Sequence, residues 1–418
     1  MKKILEKIPF YNQMTLPYHW GKAVVAGVEY GLPARKLRVI GVTGTNGKTT
    51  TCFMIWKMLN EAGYKTGLMT TVAWGVEELN EQMEHMTTVD SFTLNKRIKA
   101  IADAGAEFLV LEVTSHAMAQ FRTLGVPVEI AVMTNVTHEH LDYHKTFENY
   151  RDAKRKLFKK AKYGIINADD KSAKEFAKDV EEYITYGINK GDKRAAEVKL
   201  GTDGVKYACG DIKIETNIPG EFNVYNSLAA ACVGEKLGLT SEEIHDGILA
   251  LKEVEGRMNR IDEGQDFSVI VDYAHTPDSF QKLFKGLAKP KGKVIVMFGS
   301  AGRRDTSKRA VQGKLAGEYA DVVVITEEDD RDVPGEEIME QIAEGAKSAG
   351  KVEGKDLFLI LDRTKAIEEV MKMAKKGDLV LLLGKGHEKT IERAEGEIAW
   401  DEIGVAKKAI KKVMKKAK

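Results

Sequence analysis

The chain has 418 residues, 43% hydrophobic and 30% charged, with a formal net charge of +1. That size calls for two or three domains, and the even charge balance argues against a nucleic-acid or membrane-surface partner. Three scattered cysteines (Cys52, Cys209, Cys232) argue against disulfides and zinc, and no apolar run matches a membrane span or signal peptide, so a cytoplasmic protein is expected; a monomer is the expectation for its assembly, which the sequence itself does not give.

Residues 1–35 read as a short lead-in with one helix that starts around Tyr18-His19-Trp20 and ends near Gly31-Leu32-Pro33. Leu37 to Val42 is apolar and β-branched, which predicts a short buried strand. It runs into Gly44-Thr45-Asn46-Gly47-Lys48-Thr49-Thr50, followed at once by the helical spacing of Phe53, Met54, Ile55, Met58 and Leu59. Strand, glycine loop and helix form the setting of a phosphate-binding loop. The glycines let backbone N–H groups turn toward phosphate oxygens, and the helix N-terminus adds partial positive charge. Lys48 would reach the β/γ-phosphates and the Thr49 hydroxyl a Mg²⁺ ion. The spacing departs from the usual loop, because five residues before Gly47 stands Val42 rather than glycine.

Further on, strand and helix patterns alternate: strands at Glu107 to Val113, Val128 to Val136 and Tyr163 to Asn167, helices around Leu94 to Ala102 and over Phe147 to Phe158. This predicts a mostly parallel sheet covered by helices, with ligands at the carboxyl ends of its strands. The glycine loop, Glu112 to His116 and Asn135 to His140 should therefore sit together. Residues 183–222 change to β-hairpins, and helices follow at Asn223 to Leu237 and Ser241 to Leu251. From Ser268 the alternation restarts, with strands at Ser268 to Val271, Lys293 to Phe298, Val322 to Thr326, Leu357 to Ile360 and Asp378 to Leu383. The expected architecture is α/β: a phosphate-loop central domain over 36–260 and a second, Rossmann-like domain over 261–418. The lysines from Lys407 to Lys418 read as the solvated face of a terminal helix.

Glu112 ends an apolar strand, where its carboxylate is placed to hold Mg²⁺. His138, His140 and His144 crowd into seven residues; without a nearby cysteine, Mg²⁺ is preferred to zinc.

At this point the residues resemble a family. Gly41 to Thr50 is similar to the phosphate loop of the Mur ligases, which share its unusual spacing. Glu112 to His116, Asn135 to His144 and Tyr150 to Lys154 resemble the branch of muramoyl-tripeptide synthetases, and Asn223 to Asn226, Gly256-Arg257-Met258, Asp272 to Pro277 and Gly384 to Glu388 follow in the family's order. The resemblance implies ATP and Mg²⁺ as cofactors, with Thr49, Glu112, His140 and a carbamylated Lys154 at the metal. It implies Asn226, Arg257, Asp272 and His275 on the ATP side, contributed at the domain junction. Thr87, Thr88, Thr114, Ser115, Gln120 and Arg122 would hold a muramoyl-peptide-like acceptor, and Arg304, Arg331, Gly384 and Glu388 the incoming amino acid. Lys48, Glu112, His140 and Lys154 would carry the chemistry: an acyl phosphate made from the acceptor carboxylate, then attack by an amine, in cell-wall precursor synthesis.

Three departures qualify the match. Val89 follows Thr87-Thr88 where the family usually has proline. Glu328-Asp329-Asp330-Arg331 stands where diaminopimelate-adding members have Asp-Asn-Pro-Arg, and with Glu327 it makes the loop strongly acidic. That loop is either solvated or favours an amino acid with a second amine, such as lysine, ornithine or diaminopimelate, while Arg331 would grip a carboxylate. Only about 40 residues precede the phosphate loop where the family has a uridine-binding domain. Uridine would then be held otherwise, by a partner's domain, or not at all. Competing readings are a folylpolyglutamate- or cyanophycin-like ligase on an acceptor without UDP, and a nucleotide-regulated binding protein without ligase chemistry.

Overall fold

Continuous apolar strands explain the architecture. In the computed structural model, which describes residues 15–84 and 86–417, β1 (Arg38–Thr43), β5 (Phe108–Glu112) and β6 (Val128–Met133) are buried along nearly their whole length. A strand buried on both faces needs helices on both sides, which is the environment of a parallel sheet. Residues 1–14 of the expected lead-in lie outside the described residues.

The chain divides into two compact units. One is built on the segment ending at Lys199, with Lys206–Thr216 and Asn223–Leu251; the other runs from Lys252 onward, with Leu200–Val205 and Asn217–Phe222. In the first, α1 (Leu16–Glu29) precedes β1, and α2 (Lys48–Glu61) follows the glycine loop. Then come β2 (Thr66–Met69), β3 (Ala73–Gly75), β4 (Leu79–Glu81), α3 (Ser91–Asp103), β5 and α4 (Ser115–Ala119). After β6 follow α5 (Leu141–His144), α6 (Phe147–Phe158), β7 (Ala161–Asn167), α7 (Ala173–Ala177), β8 (Glu182–Gly187) and β9 (Lys193–Arg194). The strands form one nine-stranded sheet in the order β4-β3-β2-β5-β1-β6-β7-β8-β9. All pairings from β2 to β9 are parallel, and β3 and β4 close one edge antiparallel. Several helices start on side-chain caps: Asp90 accepts from Phe92 N, Thr114 from Ala117 N and Thr146 from Asn149 N.

Register does the work of assembly. Val42 pairs with Glu112, and Thr43 with Met133. The glycine loop, the Glu112–Ser115 turn and the Thr134–Thr137 turn therefore emerge side by side. Beyond the sheet lie β10 (Ala196–Leu200), β11 (Val205–Cys209) and β12 (Ile212–Thr216), a three-stranded sheet, followed by α8 (Phe222–Leu237) and α9 (Ser241–Leu249).

The second unit is a six-stranded sheet in the order β13-β14-β18-β15-β16-β17, from β13 (Asn259–Ile261), β14 (Ser268–Asp272), β15 (Val294–Phe298), β16 (Val322–Ile325), β17 (Leu357–Leu359) and β18 (Leu379–Leu383). Only β13 runs antiparallel. Between strands lie α10 (Pro277–Gly286), α11 (Ser307–Tyr319), α12 (Gly335–Ser348) and α13 (Arg363–Met373). A hairpin of β19 (Thr390–Arg393) and β20 (Gly396–Ala399) leads to α14 (Glu402–Ala417), which buries Ala406, Ala409 and Ile410 and exposes Lys407, Lys408, Lys411 and Lys412. Among the described residues no helix is long and apolar enough to cross a membrane.

Candidate active site

The glycine loop is clamped by the turn after β6. Thr45 N donates to Asn135 O (2.7 Å), Asn46 N to Asn135 Oδ1 (3.0 Å), and Asn135 Nδ2 and Thr134 Oγ1 donate to Asn46 O (3.0 and 2.7 Å). Thr45 Oγ1 shares a 3.0 Å hydrogen bond with the buried Tyr150 hydroxyl. Two glycines are required by close approach: a Cβ at Gly44 would run into Thr134 Oγ1, and one at Gly47 (φ +84°) into Asn226 Oδ1. Asn226 accepts from Thr51 Oγ1 (3.3 Å) and is itself steadied by Asn223 (2.8 Å), so α8 borders the loop.

The cations around the loop rest on backbone carbonyls. Lys48 Nζ donates to Thr45 O (2.7 Å) and Lys154 Nζ to Gly44 O (2.6 Å). Lys154 is 2% exposed and lies over the Tyr150 ring. Burial, and next the nearby Lys48 charge, push its ammonium well below the usual lysine range. Across the loop, Thr49 Oγ1 donates to Glu112 Oε2 (3.0 Å), which also accepts from Thr71 N and Oγ1 (3.0 Å each). Thr50 is buried in the first turn of α2.

His140 sits in a cluster of rings. His116 lies 4.8 Å from His140, 5.3 Å from His144 and 4.3 Å from Tyr143, and His140 lies 6.0 Å from Tyr150. Burial, then the neighbouring histidines, push His116 down to about 3. His138 instead stacks on Phe147.

Most of the expected acceptor residues gather beside this cluster. Thr88 Oγ1 donates to Glu112 O (2.9 Å) and accepts from Thr114 N (3.1 Å). Ser115 Oγ meets His144 Nε2 at 3.0 Å. Arg122 donates to Gln120 Oε1 and Thr88 O, and Gln120 to the Tyr143 hydroxyl. Thr87 and Thr88 line a recess with Thr70, Trp74 and Arg97.

In the second unit, Asp272 ends β14 and accepts from Met258 N and Ala274 N (2.8 Å each). Arg257 lies 4.7 Å from the Tyr273 ring centroid, and His275 Nδ1 is 2.8 Å from Tyr273 O. The acidic loop after β16 is not solvated. Glu327 pairs with Arg393 (2.6 Å) and Asp329 with Lys385 (2.8 Å); Lys385 also reaches Glu388 (2.6 Å). Glu328 is buried, and its Oε2 has no hydrogen-bond partner among the described residues; Gly384 lacks the Cβ that would press on it. Arg331 is engaged, with Nε on Glu392 Oε2 and Nη1 on Gly302 O (2.6 Å each), while Arg304 is exposed.

Sequence reasoning did not single out Thr71, Thr134 or Tyr273 as site residues. Each lies just past a strand whose neighbours are set by sheet order, so only Tyr273, inside the Asp272–Pro277 match, carried a signal.

A family model described as the Mur ligase middle domain matches residues 42–234, and one described as the Mur ligase, glutamate ligase domain matches 256–386. The chain is 39% identical to a UDP-N-acetylmuramyl-tripeptide synthetase of Roseiflexus sp. (strain RS-1), over 93% of this chain and 81% of that protein. The chain belongs to the Mur ligase family. The family's members are ATP-dependent ligases that join an acid to an amino acid, in peptidoglycan precursor synthesis. A second relative, a UDP-N-acetylmuramoyl-L-alanyl-D-glutamate–2,6-diaminopimelate ligase of Clostridium acetobutylicum, is 38% identical over 94% of this chain and 82% of its own length. A solved ligase of that same name superposes with a TM-score of 0.65 at 31% identity, covering 90% of this chain and 78% of the other. The Mur ligase fold also matches a Thermotoga maritima MurF in complex with ADP, with a TM-score of 0.70 at 21% identity, over 94% of this chain and 85% of that one.

Proposed function

We propose that this Mur ligase adds an amino acid to the carboxylate of a muramoyl-dipeptide-like acceptor through an acyl phosphate. The observation that carries this is the pair of cations, Lys48 and Lys154, resting on the carbonyls of a clamped phosphate loop. A nucleotide phosphate offers Lys48 a charged acceptor in place of Thr45 O, and charge-assisted bonds are the stronger ones. The acceptor carboxylate attacks the ATP γ-phosphorus in line, ADP leaves, and Lys48 with the loop N–H groups offsets charge on the transferring oxygens. The amino acid's neutral amine then attacks the acyl carbon; phosphate departs and an amide forms. Thr88, Thr114, Ser115, Gln120 and Arg122 are the residues we assign to holding the acceptor.

The donors at the loop suit Mg²⁺: a threonine hydroxyl and a buried carboxylate, Thr49 and Glu112, already meet at 3.0 Å. When bound there, the ion would supply positive charge to offset the negative charge that develops on the phosphoryl oxygens. His140 is assigned to it by family likeness, as is Lys154 after carbamylation. That modification needs an unprotonated amine, which the burial of Lys154 favours. For the amino acid, the unpartnered Glu328 Oε2 favours a side chain ending in an amine, since a buried carboxylate oxygen without a donor is costly.

The test is phosphate release from ATP with UDP-N-acetylmuramoyl-L-alanyl-D-glutamate across lysine, ornithine and meso-diaminopimelate. Release with one of them, and a product heavier by that residue, is expected. Release needing neither acceptor nor amine would sink the ligase reading; release only with an acceptor lacking UDP would replace the acceptor.

A further inference from the structure

Parallel pairing sets Asp272 opposite Leu383, and Gly384 N donates to Asp272 O (3.1 Å), so the turns after β14 and β18 leave the sheet as neighbours. Tyr273 stands between them, with its ring 4.7 Å from the Arg257 guanidinium carbon and 5.0 Å from His387. Its hydroxyl donates to Glu388 Oε1 (3.1 Å), while Lys385 holds Oε2 (2.6 Å). Glycines let the backbone close round it. A Cβ on Gly386 (φ +53°) would lie 2.8 Å from Tyr273 Cβ, and one on Gly256 (φ +65°), beside Arg257, would collide with His387 N. Arg257 Nε and His387 Nδ1, in the two residues that neighbour the ring, are buried without hydrogen-bond partners among the described residues.

One side chain thus fixes both an arginine with an unused donor and a carboxylate. We propose that Tyr273 is a positioning residue that couples the hold on the nucleotide, through Arg257, to the hold on the incoming amino acid, through Glu388. The roles of Arg257 and Glu388 are those that the family resemblance implies, and the inference rests on the ligase function proposed above. The ring and the hydroxyl do separable jobs: the ring supports the guanidinium and the hydroxyl aims the carboxylate.

Tyr273→Phe keeps the ring. It should raise the amino-acid KM about tenfold, as loss of a hydrogen bond to a charged group does, and leave the ATP KM within about twofold. Tyr273→Leu should raise both. Glu388→Gln tests the same bond from its other end, and Tyr273→Phe/Glu388→Gln should add little to either single change. A merely structural tyrosine would lower stability and kcat without separating the two KM values. Equal movement of both KM values in Tyr273→Phe, or no movement, overturns the coupling.

A second measurement needs no turnover. ADP should protect the backbone amides of Gly384 to Glu388 from hydrogen exchange in the wild type, and less so in Tyr273→Phe at matched ADP occupancy. Equal protection in both, or none in the wild type, also overturns the proposal. A wild type without turnover counts against the ligase reading instead, and leaves the exchange result to decide the coupling.

Discussion

Lys154 beside the phosphate loop and Lys385 in the C-terminal unit are almost equally enclosed, 2% and 1% exposed, yet their surroundings push them in opposite directions. Lys385 touches two carboxylates, Asp329 and Glu388, and although burial opposes it, their charges raise its pKa. Arg363 is treated the same way, fully buried against Glu402 at 2.6 Å. Lys154 has a carbonyl as its partner and is pushed down by burial and by Lys48. In the second unit Lys385 and Arg363 are neutralised by acids of that unit and so form a fixed framework. The first leaves two cations, Lys48 and Lys154, on the backbone carbonyl oxygens of Thr45 and Gly44. A buried cation is therefore informative about function chiefly when its own chain has not paired it.

The comparison breaks if the two groups of cations behave alike. Lys48→Ala should lower ATP turnover by about a thousandfold or more with the thermal midpoint nearly unchanged, measured by phosphate release and calorimetry. Arg363→Met, which strands Glu402, should instead cost about 3–5 kcal/mol of stability in denaturant unfolding, and Arg363→Met/Glu402→Leu should recover most of it. Lys154→Met should abolish ligation while leaving stability at pH 7 equal to the wild type or higher. The sign follows from linkage: the folded state binds the Lys154 proton more weakly than the unfolded state, whose pKa is near 10.5. The contribution of Lys154 to wild-type stability therefore rises with pH toward 10.5, and the advantage of methionine over lysine at this position shrinks over the same range. A loss above about 2 kcal/mol in that variant would place Lys154 with the structural cations. Smallest is Arg331→Ala: because Glu392 and Gly302 O already engage the guanidinium, the amino-acid KM should change less than about threefold. A larger rise would restore Arg331 to the role of gripping a substrate carboxylate.

What was legible in the sequence was local or apolar. The strand, glycine loop and helix over 36–61 could be read because periodicity switches from buried strand to helix within a few residues, and β5, β6 and the strands of the second sheet are near-continuous apolar runs. The short β2 was not, because Thr66-Gly67-Leu68-Met69 holds a glycine required by Ile101 packing against it. Nor was β8, whose first two residues, Glu182 and Tyr183, are exposed; the hairpins expected from residue 183 give way there to parallel pairing with β7. The acidic loop kept a solvated reading open because its partners, Lys385 and Arg393, lie more than fifty residues away and are brought near only by β18 and the hairpin after it. Contacts set by strand order, such as Thr71 on Glu112 and Tyr273 on Glu388, leave no trace in spacing.

Asn226 completes the surroundings of a loop by bonding Thr51, the residue just after the motif and 175 residues earlier in the chain. A ribosome adding about 5–20 residues per second would need roughly 10–35 s to make that stretch. For that interval the nascent chain carries every residue of the nucleotide motif without the helix that presses on Gly47. Nucleotide capture should thus arrive late in synthesis, as a step at the emergence of α8 rather than at that of the motif itself.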